Sequence, residues 1–203
     1  MEVAYRSLAS AQRGNRRCRA CAEAGYPLGS LPVFEGRDGQ RAMIFGQSPG
    51  MVEGEERRPW RGRAGRTLRR WLDLDEDAFY ATFYCSSVTR CYPGKAPSGR
   101  GDRTPARTEI ALCRRWRDHE LRLLRPALVV PVGGLAIREL LGIGSLAESV
   151  GRTFELGEAT AIPLPHPSGA SGWLNAPANR MQLDGALELV REALAVLRMS
   201  SRL

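Results

Sequence analysis

His166 stands in Pro163-Leu164-Pro165-His166-Pro167-Ser168-Gly169, immediately after an apolar run. Proline on either side restricts the backbone, so the imidazole is held at a fixed point where it can donate or accept a proton. A second group lies upstream. Residues 44–50, Ile-Phe-Gly-Gln-Ser-Pro-Gly, end an apolar run in a Gly/Pro loop, and residues 58–65, Arg-Pro-Trp-Arg-Gly-Arg-Ala-Gly, form another loop that opens a helix. Glycines there allow two backbones to close on a ligand between them. Taken alone, residues 46–50 equally suit an ordinary strand-to-helix turn. Gln47 and Ser48 can hold a water by hydrogen bonding but cannot act as a general base at neutral pH. The nearest carboxylates, Glu53, Glu55 and Glu56, read equally as a solvated charge run.

Five cysteines form the third group. Cys18 and Cys21, in Arg-Arg-Cys-Arg-Ala-Cys, put two thiols on one turn beside cations, which suits a metal site. Cys91 follows a predicted strand and Cys113 lies in a predicted helix, so together the four could complete a four-thiolate site. The wide spacing does not choose between zinc and an iron-sulfur cluster, and the Cys-x-x-Cys pair alone is a further reading. Cys85, inside Phe-Tyr-Cys-Ser-Ser-Val, reads as a small core residue.

The elements that must position these groups alternate. Residues 41–45, 82–88, 127–132 and 159–164 read as short buried strands, with helices over 66–72, 107–124, 135–141 and about 178–197 between or after them. That order predicts an α/β fold, a three-layer α/β/α sandwich with a central, mostly parallel four-stranded sheet. Ligands in such folds bind beyond the C-terminal strand ends. Gly46, Ser87, Gly133 and His166 fall at that edge, whereas His119, in a charged helix, reads as a surface residue. Residues 1–35 form a basic segment, and residues 92–105 a cationic Gly/Pro loop that suits either phosphate contact or plain solvation.

The chain has 203 residues and 43% hydrophobic composition, enough for one domain spanning 1–203. It has no apolar stretch of membrane-spanning length and no signal core near Met1, so an intracellular protein is expected. A formal net charge of +8, carried by arginines with Lys95 the only lysine, favours a polyanionic partner. An arginine bias of this kind can also be compositional.

Taken together, these residues resemble the iron-sulfur families of the uracil-DNA glycosylase superfamily, families 4 and 5. The resemblance runs over Cys18-x-x-Cys21, residues 46–65, Cys91, Cys113, residues 126–133 and His166-Pro167-Ser168. The family 4 motif Pro-Phe-Val-Gly-Arg-Ala-Gly aligns without a gap on residues 59–65. The resemblance implies a [4Fe-4S] cluster on Cys18, Cys21, Cys91 and Cys113, with residues 1–35 as the cluster-binding segment. It implies DNA, as damaged duplex or single strand, as the partner, with no membrane, and a monomer in a bacterial or archaeal cytoplasm at the nucleoid. The implied chemistry is flipping of a nucleotide and hydrolysis of its N-glycosidic bond. The base would stack on Trp60 and meet Gly46, Ser87 and His166, which donates to a base carbonyl. Residues 167–171 would wedge the flipped site, and Arg63, Arg100, Arg103, Ser168, Gly169 and Ser171 would contact DNA.

The chain departs from that pattern in two places. Where family 4 has Glu and other families have Asp or Asn, it has Gln47 and Ser48; Glu53 matches an acidic family position. Where an Asn reads the base edge, it has Ser87, so uracil selectivity is open and hypoxanthine is a second candidate. Catalytic roles therefore fall to His166, Gln47, Ser48 and Glu53. Two other readings stand beside a glycosylase. One is an iron-sulfur protein that senses DNA lesions without chemistry; the other is a zinc-stabilised α/β protein acting on a small molecule.

Overall fold

A computed structural model describes residues 5–99, 101–168 and 172–200. Two helices lead the chain, α1 at Leu8–Arg16 and α2 at Ala20–Glu23. A capping box opens α1, in which the Ser7 hydroxyl accepts from the Ser10 N–H at 3.3 Å and Ser10 answers the Ser7 N–H. The sheet holds β1 at Ala42–Gly46, β2 at Phe83–Ser87, β3 at Leu128–Pro131, β4 at Phe154–Leu156 and β5 at Ala159–Ala161, in the order β2-β1-β3-β5-β4. The first four in that order run parallel, and β4 lies antiparallel on the edge. The sheet thus has five strands rather than four. The extra one, β4, has only three residues and a partly exposed pattern, and it turns into β5 through Gly157 at φ +61°.

Helices α3 at Met51–Glu56, α4 at Arg63–Trp71 and α5 at Glu76–Thr82 connect β1 to β2; α6 at Arg107–Leu124 connects β2 to β3. After β3 come α7 at Gly134–Leu141 and α8 at Leu146–Ser149, and α9 at Pro177–Ser200 closes the chain. Alternation along each strand divides the core. Ala42, Ile44, Phe83, Cys85, Leu128 and Val130 pack against α4, α5 and α9 through Leu68, Phe79 and Leu187. Met43, Phe45, Tyr84 and Val129 face the other way, onto α1, α6 and α7 through Leu8, Ile110 and Ala136. Both faces are covered, so the central strands β1 and β3 are apolar throughout. Among the described residues no helix is long and apolar enough to cross a membrane.

Candidate active site

Two strand ends meet where the first glycine loop begins. Gly46 pairs with Ser87, the Val88 N–H donates to the Gly46 carbonyl at 2.9 Å, and the Thr89 N–H donates to that of Gln47 at 3.1 Å. The Trp60 indole lies on this edge, on the α4 side of the sheet. A Cβ on Gly46 would stand 2.9 Å from Trp60 Cζ2, so the ring reaches the strand end only because residue 46 has no side chain. Gln47 and Ser48 follow, both half-buried.

The loop carrying Trp60 is fixed from several sides. Trp60 has a left-handed backbone, φ +60°, and its carbonyl accepts from Arg69 Nη1 at 2.8 Å. The Tyr80 hydroxyl donates to the Pro59 carbonyl. A Cβ on Gly65 would lie 1.7 Å from the Trp60 carbonyl oxygen, so α4 can start there only with glycine. Glu76 receives Arg58, Arg61 and Arg69, and Arg58 also pairs with Glu35 at 2.7 Å while lying 3.7 Å over the Tyr80 ring. A strained residue so thoroughly braced marks a site whose geometry matters.

Glu53 joins the two loops. Its Oε2 accepts from the Gly50 N–H at 3.1 Å and its Oε1 from the Gly62 N–H at 2.7 Å, so one carboxylate caps α3 and α4 together. This is a strut geometry. A carboxylate that sequence reasoning passed over stands nearby: Asp102 Oδ2 would lie 3.2 Å from a Cβ on Gly50, and its Oδ1 accepts from the Tyr92 hydroxyl at 3.1 Å. It sits in the 93–105 loop, whose sequence is notable for its cations. Arg103 of that loop holds Glu109 through both terminal nitrogens, at 2.6 and 2.9 Å, and donates to the Pro93 carbonyl, which folds the loop onto α6. Arg100, Gly169 and Ser171 lie outside the described residues.

His166 follows the line of β5. The Gly133 N–H donates to the Leu164 carbonyl at 2.8 Å, and a Cβ on Gly133, at φ +89°, would stand 3.3 Å from His166 Cβ. The Ser168 N–H donates to His166 Nδ1 at 3.3 Å, with Ser168 Oγ at 2.8 Å. A backbone N–H can only donate, so this contact favours Nδ1 as an acceptor and the neutral tautomer with its proton on Nε2. Burial lowers the imidazole pKa below its ordinary 6.5, against the opposing charge of Glu53. The four edge residues expected together, Gly46, Ser87, Gly133 and His166, lie at the C-terminal ends of adjacent strands.

Cys18, Cys21, Cys91 and Cys113 line one cavity, with Asn15, Thr89, Arg90 and Trp116 among its other walls. Burial pushes the Cys21 thiol up to about 11 and that of Cys91 to about 12, and charge on Cys113 adds to both. Burial also acts to raise Cys18, but the Ala20 N–H and the Trp116 and Arg115 side chains outweigh it and lower that thiol. Among the described residues no three His, Cys, Asp or Glu side chains converge as they would around a single metal ion. The thiols rim the cavity instead. Arg90 Nε and Nη1, Thr89 Oγ1 and Asn15 Oδ1 are buried on these walls without hydrogen-bond partners. Three of those groups are donors, which suits an anionic, thiolate-held occupant larger than one ion. Cys85, fully buried in the core, faces away from this cavity.

A groove of about 670 Å³ runs between α4 and the histidine loop. Arg63, Arg66, Arg69 and Arg70 line it, with Trp71 on its wall and Pro167 and Ser168 at its end. No acidic side chain is among the described lining residues. Such a wall attracts phosphates.

Residues 33–191, which include both glycine loops, Cys91, Cys113 and His166, match the uracil DNA glycosylase superfamily. The chain belongs to that superfamily. It is accordingly a DNA N-glycosylase by class, a hydrolase of N-glycosyl bonds. Similar proteins include the type-4 uracil-DNA glycosylase of Sulfurisphaera tokodaii, 24% identical over 188 residues, 86% of this chain and 79% of the relative. The type-4 uracil-DNA glycosylase of Thermotoga maritima is 28% identical over 160 residues, 75% and 77% of the two chains. That of Saccharolobus solfataricus is 24% identical over 189 residues, 89% and 83%. Within the matched residues, Gln47 and Ser48 of the first glycine loop carry no carboxylate.

Proposed function

We propose that this protein is a monomeric, monofunctional DNA repair glycosylase that flips out a deaminated base, uracil or a related lesion such as hypoxanthine, and hydrolyses its N-glycosidic bond. The observation that carries the reading is His166, whose Nδ1 is held by Ser168 and whose pKa burial lowers, at the sheet edge where the buried Trp60 ring packs against Gly46. Cleavage of the bond between C1′ and the base nitrogen leaves cationic character on the sugar and an anion on the base. His166 Nε2–H donates to a carbonyl of the departing base as that charge builds, which is most effective from a rigid, partly desolvated group.

The base stacks on Trp60. Water adds to C1′ and loses its proton, completing hydrolysis. With Gln47 and Ser48 in the first loop, Asp102 is the carboxylate placed over Gly50 that can orient this water, and the Gln47 amide assists. Glu53 holds the two loops at their spacing. The four-arginine groove takes the phosphates beside the flipped nucleotide, with Ser168 at its end.

The walls described above fit a [4Fe-4S] cluster held by Cys18, Cys21, Cys91 and Cys113. When bound, it braces the N-terminal segment against β2 and α6 and takes no part in bond cleavage. The relatives named above are type-4 uracil-DNA glycosylases, which supports uracil as a substrate here. A cytoplasmic site of action at the nucleoid follows from a DNA substrate. A duplex or single strand containing one uracil or hypoxanthine, incubated with protein and treated with alkali, tests the proposal: strand scission at the lesion supports it. Tight, salt-sensitive binding without scission supports a lesion-sensing protein instead.

A further inference from the structure

We infer that Arg90 is the internal cation of the cysteine cavity, giving N–H groups to the sulfurs of the cluster and biasing it toward its reduced, more negative state. This rests on the [4Fe-4S] reading above and adds a fifth residue to the four thiolates. Arg90 precedes Cys91, is 1% exposed, and lines the cavity beside all four cysteines. A guanidinium stays charged when buried, so it needs partners. One nitrogen has one: Nη2 donates to Glu120 Oε2 at 2.5 Å, and Glu120 is 3% exposed. Nε and Nη1 are buried without a hydrogen-bond partner among the described residues.

A role as a brace accounts for the first contact alone. Glu120 ties α6 to β2 by also accepting from Ser86 Oγ at 2.8 Å and from the Tyr84 hydroxyl at 3.2 Å, and one cationic nitrogen completes that arrangement. A lysine could supply it. Buried donors left without acceptors are costly, so the two remaining nitrogens call for an acceptor on the cavity side. Thiolate and sulfide sulfurs are such acceptors, and Cys113 lies within electrostatic reach of Arg90. Each electron taken up by a cluster adds negative charge, which a fixed, desolvated cation favours; net charge and hydrogen bonds to sulfur set the potentials of such groups. Glu120 opposes this from outside the described lining residues. Arg115 Nη2 also stands 3.5 Å from Cys18 Sγ, but Arg115 is exposed and water screens its charge.

Voltammetry of the full chain purified without oxygen, with iron and sulfide assayed beside it, tests this without turnover. Glu120→Gln leaves the guanidinium uncompensated and should shift the equilibrium toward the reduced cluster by about ten-fold, about 59 mV upward for one electron. Adding Arg90→Met to that variant removes the cation without stranding a buried carboxylate, and should reverse the shift by about ten-fold or more. Arg115→Gln should move the wild-type potential by under about three-fold. If the double variant folds but holds no iron while Glu120→Gln does, the cluster depends on Arg90 and the inference stands. If it does not fold, Arg90→Lys, which keeps the pairing with Glu120 and withdraws the fork, should lie below the wild-type potential. Equal potentials with and without Arg90 at full iron content, an Arg90→Lys protein at the wild-type potential in that last case, or a larger effect from Arg115→Gln, overturn the inference and leave the cluster. A wild-type protein that holds zinc or no metal rejects the cluster reading and the inference with it.

Discussion

Ser168 donates its backbone N–H to His166 Nδ1 at 3.3 Å, and this hydrogen bond favours the tautomer whose proton is on Nε2. The pair is local, two residues apart, and stands at the end of the arginine groove. In the proposed mechanism, base-side chemistry and DNA-side contact are therefore built from one tripeptide.

The activity should follow the neutral imidazole. Burial lowers its pKa below 6.5, so kcat should be flat above that value and fall only at more acidic pH. The sign for stability agrees. The unfolded chain binds the proton more readily, so the contribution is complete above pH 6.5 and is lost as pH falls through the lower folded value. A pH-rate profile and melts at pH 5 to 8 check both, and a rate that rises on acidification contradicts the assignment.

Removing the Glu53 carboxylate strips the Gly50 and Gly62 N–H groups of their acceptor at once. Glu53→Ala should cost about 1–3 kcal/mol of stability. It should raise KM more than it lowers kcat, because the two loops separate. An unchanged melting curve with kcat abolished would instead mark Glu53 as the group that activates water.

Asp102→Asn should lower kcat by about 10²-fold, the range for loss of a water-orienting group. Affinity for an abasic-site duplex should stay within two-fold. Rates measured beside the binding curve distinguish this from damage to the 93–105 loop, which would weaken both.

Replacing Arg63, Arg66 and Arg70 together with Gln removes charge from the groove without touching Arg69, which holds the Trp60 carbonyl. The slope of log K against log salt should flatten by roughly 0.9 for each phosphate of duplex DNA that these arginines neutralise. The melting temperature should be unchanged. Filter binding or anisotropy over a salt series reads the slope directly.

The strands and the long helices were legible because their apolar patterns are dense. Residues 107–124 match α6, and the expected strands at 41–45, 82–88 and 127–132 lie within one or two residues of β1, β2 and β3. The strand expected over 159–164 is cut short: β5 ends at Ala161, although Ile162 and Leu164 still donate to the Val129 and Pro131 carbonyls at 2.9 Å, because Pro131 has no N–H to return to this stretch. The edge strand β4 and the short helices α3 and α5 left no periodicity to read. At the site, the glycine loops and His166 were visible as spacing. The double cap by Glu53 was not, because Gly50 and Gly62 are brought together only by folding. Asp102 was hidden for a similar reason, since a loop that reads as cationic turns its one carboxylate toward the first motif. Arg103, read as a DNA contact, is engaged with Glu109, a partner six residues away that its own sequence gives no cause to single out.

The central claim is that this chain excises a base with His166 as the donor to the leaving group and no carboxylate in its first glycine loop. Base release from single- and double-stranded oligonucleotides containing uracil or hypoxanthine, measured for the wild-type protein and His166→Ala under single turnover, tests it most directly. The account predicts abasic sites from at least one of these substrates and a loss of about 10²-fold or more in His166→Ala. No release from any of them, or equal rates for the two proteins, would contradict it.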